Sequence, residues 1–180
     1  MEFYYCIVES DFGEIIVVWD WADKKVVRVF LPGQHALFKS SAYNSAKVLE
    51  NCDPNVRNIC AQMSNLLQGK PIALSLDILD WAVTHPFQQR VLRMEHRIPR
   101  GMVSTYGRLA NKLGHAGAAR AVGTALARNP FPIIIPCHRT IRSDRSLGGY
   151  AGGLAMKRKL LELEGIEFDR YGRVVSDRLW

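Results

Sequence analysis

The sequence predicts an α/β (α+β) chain in two parts, an antiparallel sheet followed by a helical half with a helix-turn-helix layout. Three observations carry this. Runs of mostly apolar, β-branched and aromatic residues separated by short turns fill the first third. Helical spacing bounded by proline and glycine takes over after about residue 85. The charge divides at the same place. Residues 1–85 hold seven Lys and Arg against ten Asp and Glu, a net of −3, whereas residues 86–180 hold seventeen against seven, a net of +10. A chain of 180 residues suits one large or two small domains. We expect a scaffold domain at 1–82 and a functional domain at 83–180.

Each element follows from local pattern. Phe3–Val8, Gly13–Trp19 and Val26–Phe30 read as successive strands of one antiparallel sheet. Asp53-Pro54 is a helix start with proline at the first position, and Val56, Ile59, Cys60, Met63 and Leu67 keep helical spacing behind it. Ile72–Leu76 then reads as a returning strand. Pro86-Phe87 opens a helix with Val91 and Leu92 on one face, closed before Pro99-Arg100-Gly101. A helix from about Tyr106 to Leu113 stops at Gly114, and another runs from about Gly117 through Ala127. Two short helices around a glycine turn have the layout of a helix-turn-helix. The second is made of small residues, with Arg120 its one long polar side chain. A major-groove reader ordinarily carries several such side chains. This helix suits close backbone approach in a tight groove with one arginine projecting, or plain packing against a core.

Pro136-Cys137-His138-Arg139 bears the chemistry. It ends the apolar run Pro132–Pro136, which reads as a short buried strand or extended segment that stops abruptly. A base beside a thiol is the usual way to make a thiolate nucleophile near neutral pH. Asn129 lies in a turn upstream, and Glu164 ends a helix-like run before Gly165, where it could orient the imidazole. A cysteine in an apolar run is also commonly an inert buried thiol, so these residues alone leave both readings open. The basic second half points to a polyanion, and its coincidence with the cysteine favours nucleic acid over a merely solvated face.

No segment is long and apolar enough to span a bilayer, and the N-terminus lacks a basic stretch followed by an apolar one. Cys6, Cys52, Cys60 and Cys137 carry no mark of secretion, so we expect a reduced compartment, cytoplasmic or, in a eukaryote, nuclear. There is no CxxC, and Cys52 and Cys60 are too far apart for a zinc knuckle. Only Cys6 and His85, in the same half, keep a metal reading open, and we expect no metal.

From Phe87 to Gly165 the ordered pieces are Phe87-Gln88, Ile98-Pro99-Arg100-Gly101, Thr105-Tyr106-Gly107, Ala119-Arg120-Ala121-Val122-Gly123, Arg128-Asn129-Pro130, Ile135-Pro136-Cys137-His138-Arg139, Leu147-Gly148-Gly149-Tyr150, Gly152-Gly153-Leu154 and Leu160–Gly165. Together they resemble the O6-alkylguanine-DNA alkyltransferases. The resemblance implies a winged-helix or helix-turn-helix C-terminal domain and, in outline only, a ribonuclease-H-like N-terminal one. It implies that Cys137 accepts the alkyl group, His138 is the base acting through a water, Glu164 orients His138, and Asn129 stabilises the turn. Arg120 would fill the stack vacated by a flipped base, and Tyr106 would support base rotation. Gly107, His115, Ala119, Ala121, Gly123 and Ser143 would meet the DNA. Tyr106, Pro132, Thr140, Tyr150 and Ala151 would form the base pocket. The partner implied is double-stranded DNA carrying O6-alkylguanine, and O4-alkylthymine, bound by a monomer without any cofactor. A duplex hides the O6 substituent, so the base must be extruded.

Departures from the family pattern are Thr140 for a usual Val, Ser146 for a frequent Gly, Leu92 for a frequent Trp and Ala151 for an occasional Ser. None removes a catalytic group. Two other classes remain in view. A non-catalytic lesion-binding or regulatory module would share the basic half, but Cys137 argues against it. A cysteine hydrolase is poorer, because such enzymes do not typically pair their nucleophile with a sequence-adjacent histidine.

Overall fold

A computed structural model of the chain describes residues 2–48, 53–175 and 177–180. Cys52 therefore lies outside the described residues. The chain divides into two compact units. One takes the described residues of Met1–Val83 together with Pro130–Ile134, and the other takes Thr84–Asn129 and Ile135–Trp180.

The first unit is built on β1 (Phe3–Val8), β2 (Ile15–Asp20) and β3 (Val26–Phe30), antiparallel neighbours as the sequence led us to expect. A short β4 (Lys47–Val48), not expected, pairs parallel to β1 and gives the order β3-β2-β1-β4. Every residue of β2 is buried, because both faces of the sheet are covered. Ile16 and Val18 pack with Phe30 and with Phe38 of α1 (His35–Lys39), while Trp19 meets Val56 of α2 (Pro54–Leu67). Burying each such side chain stabilises the fold by about 1.5–3 kcal/mol. Asp53 caps α2 by accepting from the Asn55 amide at 2.9 Å, with Pro54 behind it.

Two expectations fail in this unit. Ile72–Leu76 forms no strand. The Ser75 hydroxyl donates to Asp77 Oδ2 at 2.9 Å and accepts from the Asp77 amide at 3.1 Å, a local turn that competes with a ladder. The segment meets the sheet only afterwards, where the Val26 amide donates to Ile78 and the Asp80 amide to Val26. The isoleucine run also fails to form a strand. It is a buried turn with Ile133 at φ 72°, in the left-handed region that strains a β-branched residue.

The second unit contains α3 (Pro86–His96), β5 (Ser104–Thr105), α4 (Tyr106–Lys112), α5 (Ala119–Ala127), β6 (Thr140–Ile141), α6 (Gly153–Leu163) and the hairpin β7 (Glu167–Phe168) and β8 (Val174–Val175). Strands β5 and β6 pair in parallel. Around them Val103, Ile141, Leu161, Ile166 and Val174 form a core. Thr105 caps α4 through its hydroxyl, which accepts from the Arg108 amide at 3.2 Å. Helices α4 and α5 form the expected helix-turn-helix. No helix among the described residues is long and apolar enough to cross a membrane.

Candidate active site

The chemistry gathers in the second unit, where a 3₁₀ turn, Cys137–Arg139, follows Pro136. The end of α5 is fixed first. Gln88 on α3 donates from its amide nitrogen to the carbonyls of Ala125 and Arg128 at 3.1 and 2.9 Å, satisfying acceptors the helix leaves open. Asn129 follows directly and is buried. Its amide nitrogen reaches the Ile135 carbonyl at 3.3 Å and the Cys137 sulfur at 3.4 Å. Cys137 is only partly exposed, and burial pushes its thiol up to about 11 against the lowering effect of the Asn129 bond. A thiol held this high rests protonated at neutral pH.

Next to it, His138 is fully buried, with Nε2 3.0 Å from Glu164 Oε1. Arg139 grips the same carboxylate as a fork, Nε to Oε2 at 2.9 Å and Nη2 to Oε1 at 2.8 Å, and its Nη1 donates to the Ile98 carbonyl at 2.6 Å. Burial by itself would raise the Glu164 carboxyl, but His138 and Arg139 outweigh it and hold the group at about 2. Burial lowers His138 and leaves the imidazole neutral. Facing an ionised carboxylate, Nε2 carries the proton and donates it, so Nδ1 holds the free lone pair. That Nδ1 is buried and has no partner among the described residues. A buried lone pair of this kind can accept a proton from a neighbouring group.

Behind the thiol lies a polar cluster that sequence reasoning missed. Glu95 of α3 is fully buried, and the Thr140 hydroxyl donates to its Oε2 at 2.6 Å. Lys157 of α6, also fully buried, donates to the carbonyls of Thr140 and Gly149 at 2.6 and 3.3 Å. Burial raises Glu95 to about 7 and lowers Lys157 to about 8. A signal for both was present. Glu95 stands four after Val91 and three after Leu92, and Lys157 three and four before Leu160 and Leu161, so each charge sits on the apolar stripe of its helix.

The other expected residues fall as follows. Tyr106 opens α4, and Gly123 of α5 lies against its ring, since a Cβ there would come within 3.7 Å of it. Gly148 adopts φ 69°, and a Cβ would meet Tyr106 Oη at 2.9 Å, so both conformation and closeness require glycine. The Tyr150 ring stands edge-on to His138 at 6.3 Å, its hydroxyl buried without a partner among the described residues. Thr140 is turned to Glu95. Arg120 and Ala121 are exposed on α5, Ala119 is half-buried, and the Arg120 guanidinium has no bond among the described residues. Gly107 follows Tyr106 on α4. Ser143 and Ala151 are exposed, as is His115, whose ring lies edge-on to Phe87 at 5.9 Å. Pro132 is buried, in the short segment that belongs to the first unit.

A two-unit α/β protein with a helix-turn-helix and a histidine-flanked cysteine is the class that fold and site define. Residues 86–166 match the family model described as 6-O-methylguanine DNA methyltransferase, DNA binding domain. The methylated-DNA–protein-cysteine methyltransferase of Methanosarcina acetivorans is 36% identical over 162 residues, covering 90% of this chain and 98% of that one. The protein of the same name from Methanothermobacter thermautotrophicus is 40% identical over 114 residues, and the match spans 63% of this chain and 64% of that protein. Among solved structures, Mycobacterium tuberculosis OGT in complex with DNA has a TM-score of 0.71 at 30% identity, over 91% of this chain and 92% of that one. The chain belongs to the methylated-DNA–protein-cysteine methyltransferase family.

Proposed function

We propose that this chain repairs double-stranded DNA by taking the alkyl group from O6 of guanine, and from O4 of thymine, onto the Cys137 sulfur, once per molecule. The observation that carries the proposal is the bonded line Arg139–Glu164–His138 beside a thiol held by Asn129. The thiol proton leaves toward His138 Nδ1 through one water. The new sulfur–carbon bond forms as the carbon–O6 bond breaks, and the proton returns to the departing guanine. The thioether has no good leaving group, so the protein is spent. No step calls for a cofactor. In this reading Tyr106 and Arg120 work on the base and the gap it leaves, Tyr150 and Ala151 line the pocket, and α5 follows the groove. The domain at 83–180 is then the DNA-binding and acceptor part, with 1–82 its scaffold. One copy carries the whole constellation and acts as a monomer in a reducing, DNA-bearing compartment.

Incubation with a duplex containing one O6-methylguanine should add a single methyl group at Cys137 by peptide mass spectrometry. Cys137→Ser should keep duplex binding and take none, because the hydroxyl's far higher pKa leaves almost no nucleophile. An unmodified wild-type protein that still binds the lesion would replace this reading with a non-catalytic lesion binder.

A further inference from the structure

The β7–β8 hairpin comes after every residue that the chemistry uses. Its turn, Asp169–Arg173, exposes Arg170, Tyr171 and Arg173, and Tyr171 is 70% exposed with the Arg170 guanidinium 4.7 Å from its ring centre. Asp169, the acid of this turn, spends its carboxylate on the amides of Tyr171 and Arg173 at 2.8 and 2.9 Å. Those bonds hold the carboxylate to the backbone of its own turn.

The hairpin is tied to the loop that follows β6. The Val174 amide donates to the Arg145 carbonyl at 3.0 Å, and the Arg145 amide to the Arg142 carbonyl at 3.0 Å. That loop exposes Arg142 and Arg145. Its acid, Asp144, is committed in the same way, to the Ser146 amide at 3.0 Å and hydroxyl at 2.6 Å. Those two bonds chiefly lower the Asp144 carboxyl, and the charges of Arg173 and Arg142 lower it further, so the hairpin and the loop bring their arginines together. At the other end, Arg142 reaches the site. A Cβ on Gly148 would lie 3.4 Å from Arg142 Cγ and 2.9 Å from Tyr106 Oη. A basic strip thus runs from Tyr106 through Arg142 and Arg145 to Arg173 and Arg170.

We propose that the β7–β8 hairpin is a phosphate-gripping wing that holds the backbone of the same duplex to one side of the damaged base. The proposal rests on the reading of this chain as a DNA alkyl acceptor. Guanidinium groups match phosphate oxygens in planar, two-pronged bonds. Continuity of the strip with the Tyr106 side of the site favours the duplex over any separate partner.

The test compares wild type with the Arg170→Ala/Arg173→Ala double variant in duplex binding across salt concentrations. Each lost phosphate contact removes about 0.9 from the slope of log affinity on log salt, so the variant's slope should be shallower by about 2 and its affinity lower by about tenfold. Arg170→Lys/Arg173→Lys should restore most of the slope, and the rate with free O6-benzylguanine should match wild type in both. Shortening the duplex on the wing side should weaken wild type and leave the alanine variant unchanged. An unaltered slope and affinity in the alanine variant, with wild type still taking methyl from DNA, would overturn the wing alone. A wild type that takes no methyl group at all would sink the acceptor reading and the wing together.

Discussion

Glu164 is the residue on which the site's electrostatics turn. It ends α6, where Gly165 at φ 82° closes the helix in the left-handed form that glycine takes readily. Its carboxylate is bound by a histidine and forked by an arginine, all three buried. A folded value of about 2 against 4.5 corresponds to about 3 kcal/mol. The folded value is depressed, so that contribution is fully present above about 4.5 and is lost as pH falls toward 2. Glu164→Gln should therefore flatten acid unfolding within that window in a pH titration of stability. It should also slow transfer to Cys137 by about a hundredfold, the scale of a misplaced general base, while duplex affinity stays nearly unchanged. Single-turnover rates from pH 6 to 9 check this, and an unaltered profile would mean that His138 does not serve as the base.

At the scale of elements, Glu95, Thr140 and Lys157 join α3, β6 and α6 through one buried polar cluster. A carboxyl raised to about 7 favours the protonated form in the fold. Its stabilising contribution is full below 4.5 and declines as pH rises through 7, the reverse of Glu164. Glu95→Gln keeps a partner for the Thr140 hydroxyl and removes the buried charge. It should raise Tm at pH 8, by no more than about 3 kcal/mol in stability, and leave Tm at pH 5 nearly unchanged. A Tm that falls at both pH values would show that the ionised carboxylate is itself a support. These same elements show what a sequence discloses. Strands β1 to β3 and helices α2 to α5 were legible because period, caps and prolines act locally. The two-residue β4 and the β7–β8 hairpin are too short for any period to register. Ile133 defeats composition altogether, since three isoleucines between prolines suit an extended chain and nothing local marks a left-handed turn. Asn129, Cys137, His138 and Glu164 were legible as a set through resemblance, whereas the fork of Arg139 onto Glu164 needed the fold to bring the two together across 25 residues.

For the whole molecule, the proposed function requires joining a chemical site to a long polyanion, and the +10 of residues 86–180 would supply the long-range part of that. Arg120 stands where the two tasks meet. It is exposed on a helix of small residues, and its guanidinium is unbonded among the described residues. Two roles suit such a side chain. As a finger it would occupy the gap left by the extruded guanine, offering a planar face in place of a stacked base. As a phosphate contact it would add affinity and little else. The roles separate kinetically. Under the first, Arg120→Ala should cut single-turnover transfer from saturating duplex severely, by about a hundredfold if the few kcal/mol of unstacking go uncompensated, and barely affect free O6-benzylguanine, which needs no flipping. Arg120→Lys should recover only part of the rate, because an ammonium lacks the stacking face. Under the second, binding should weaken with a smaller salt slope and transfer should return to normal once DNA is saturating. Equal losses on duplex and free base would instead mean that the substitution damages the pocket, and would refute the finger.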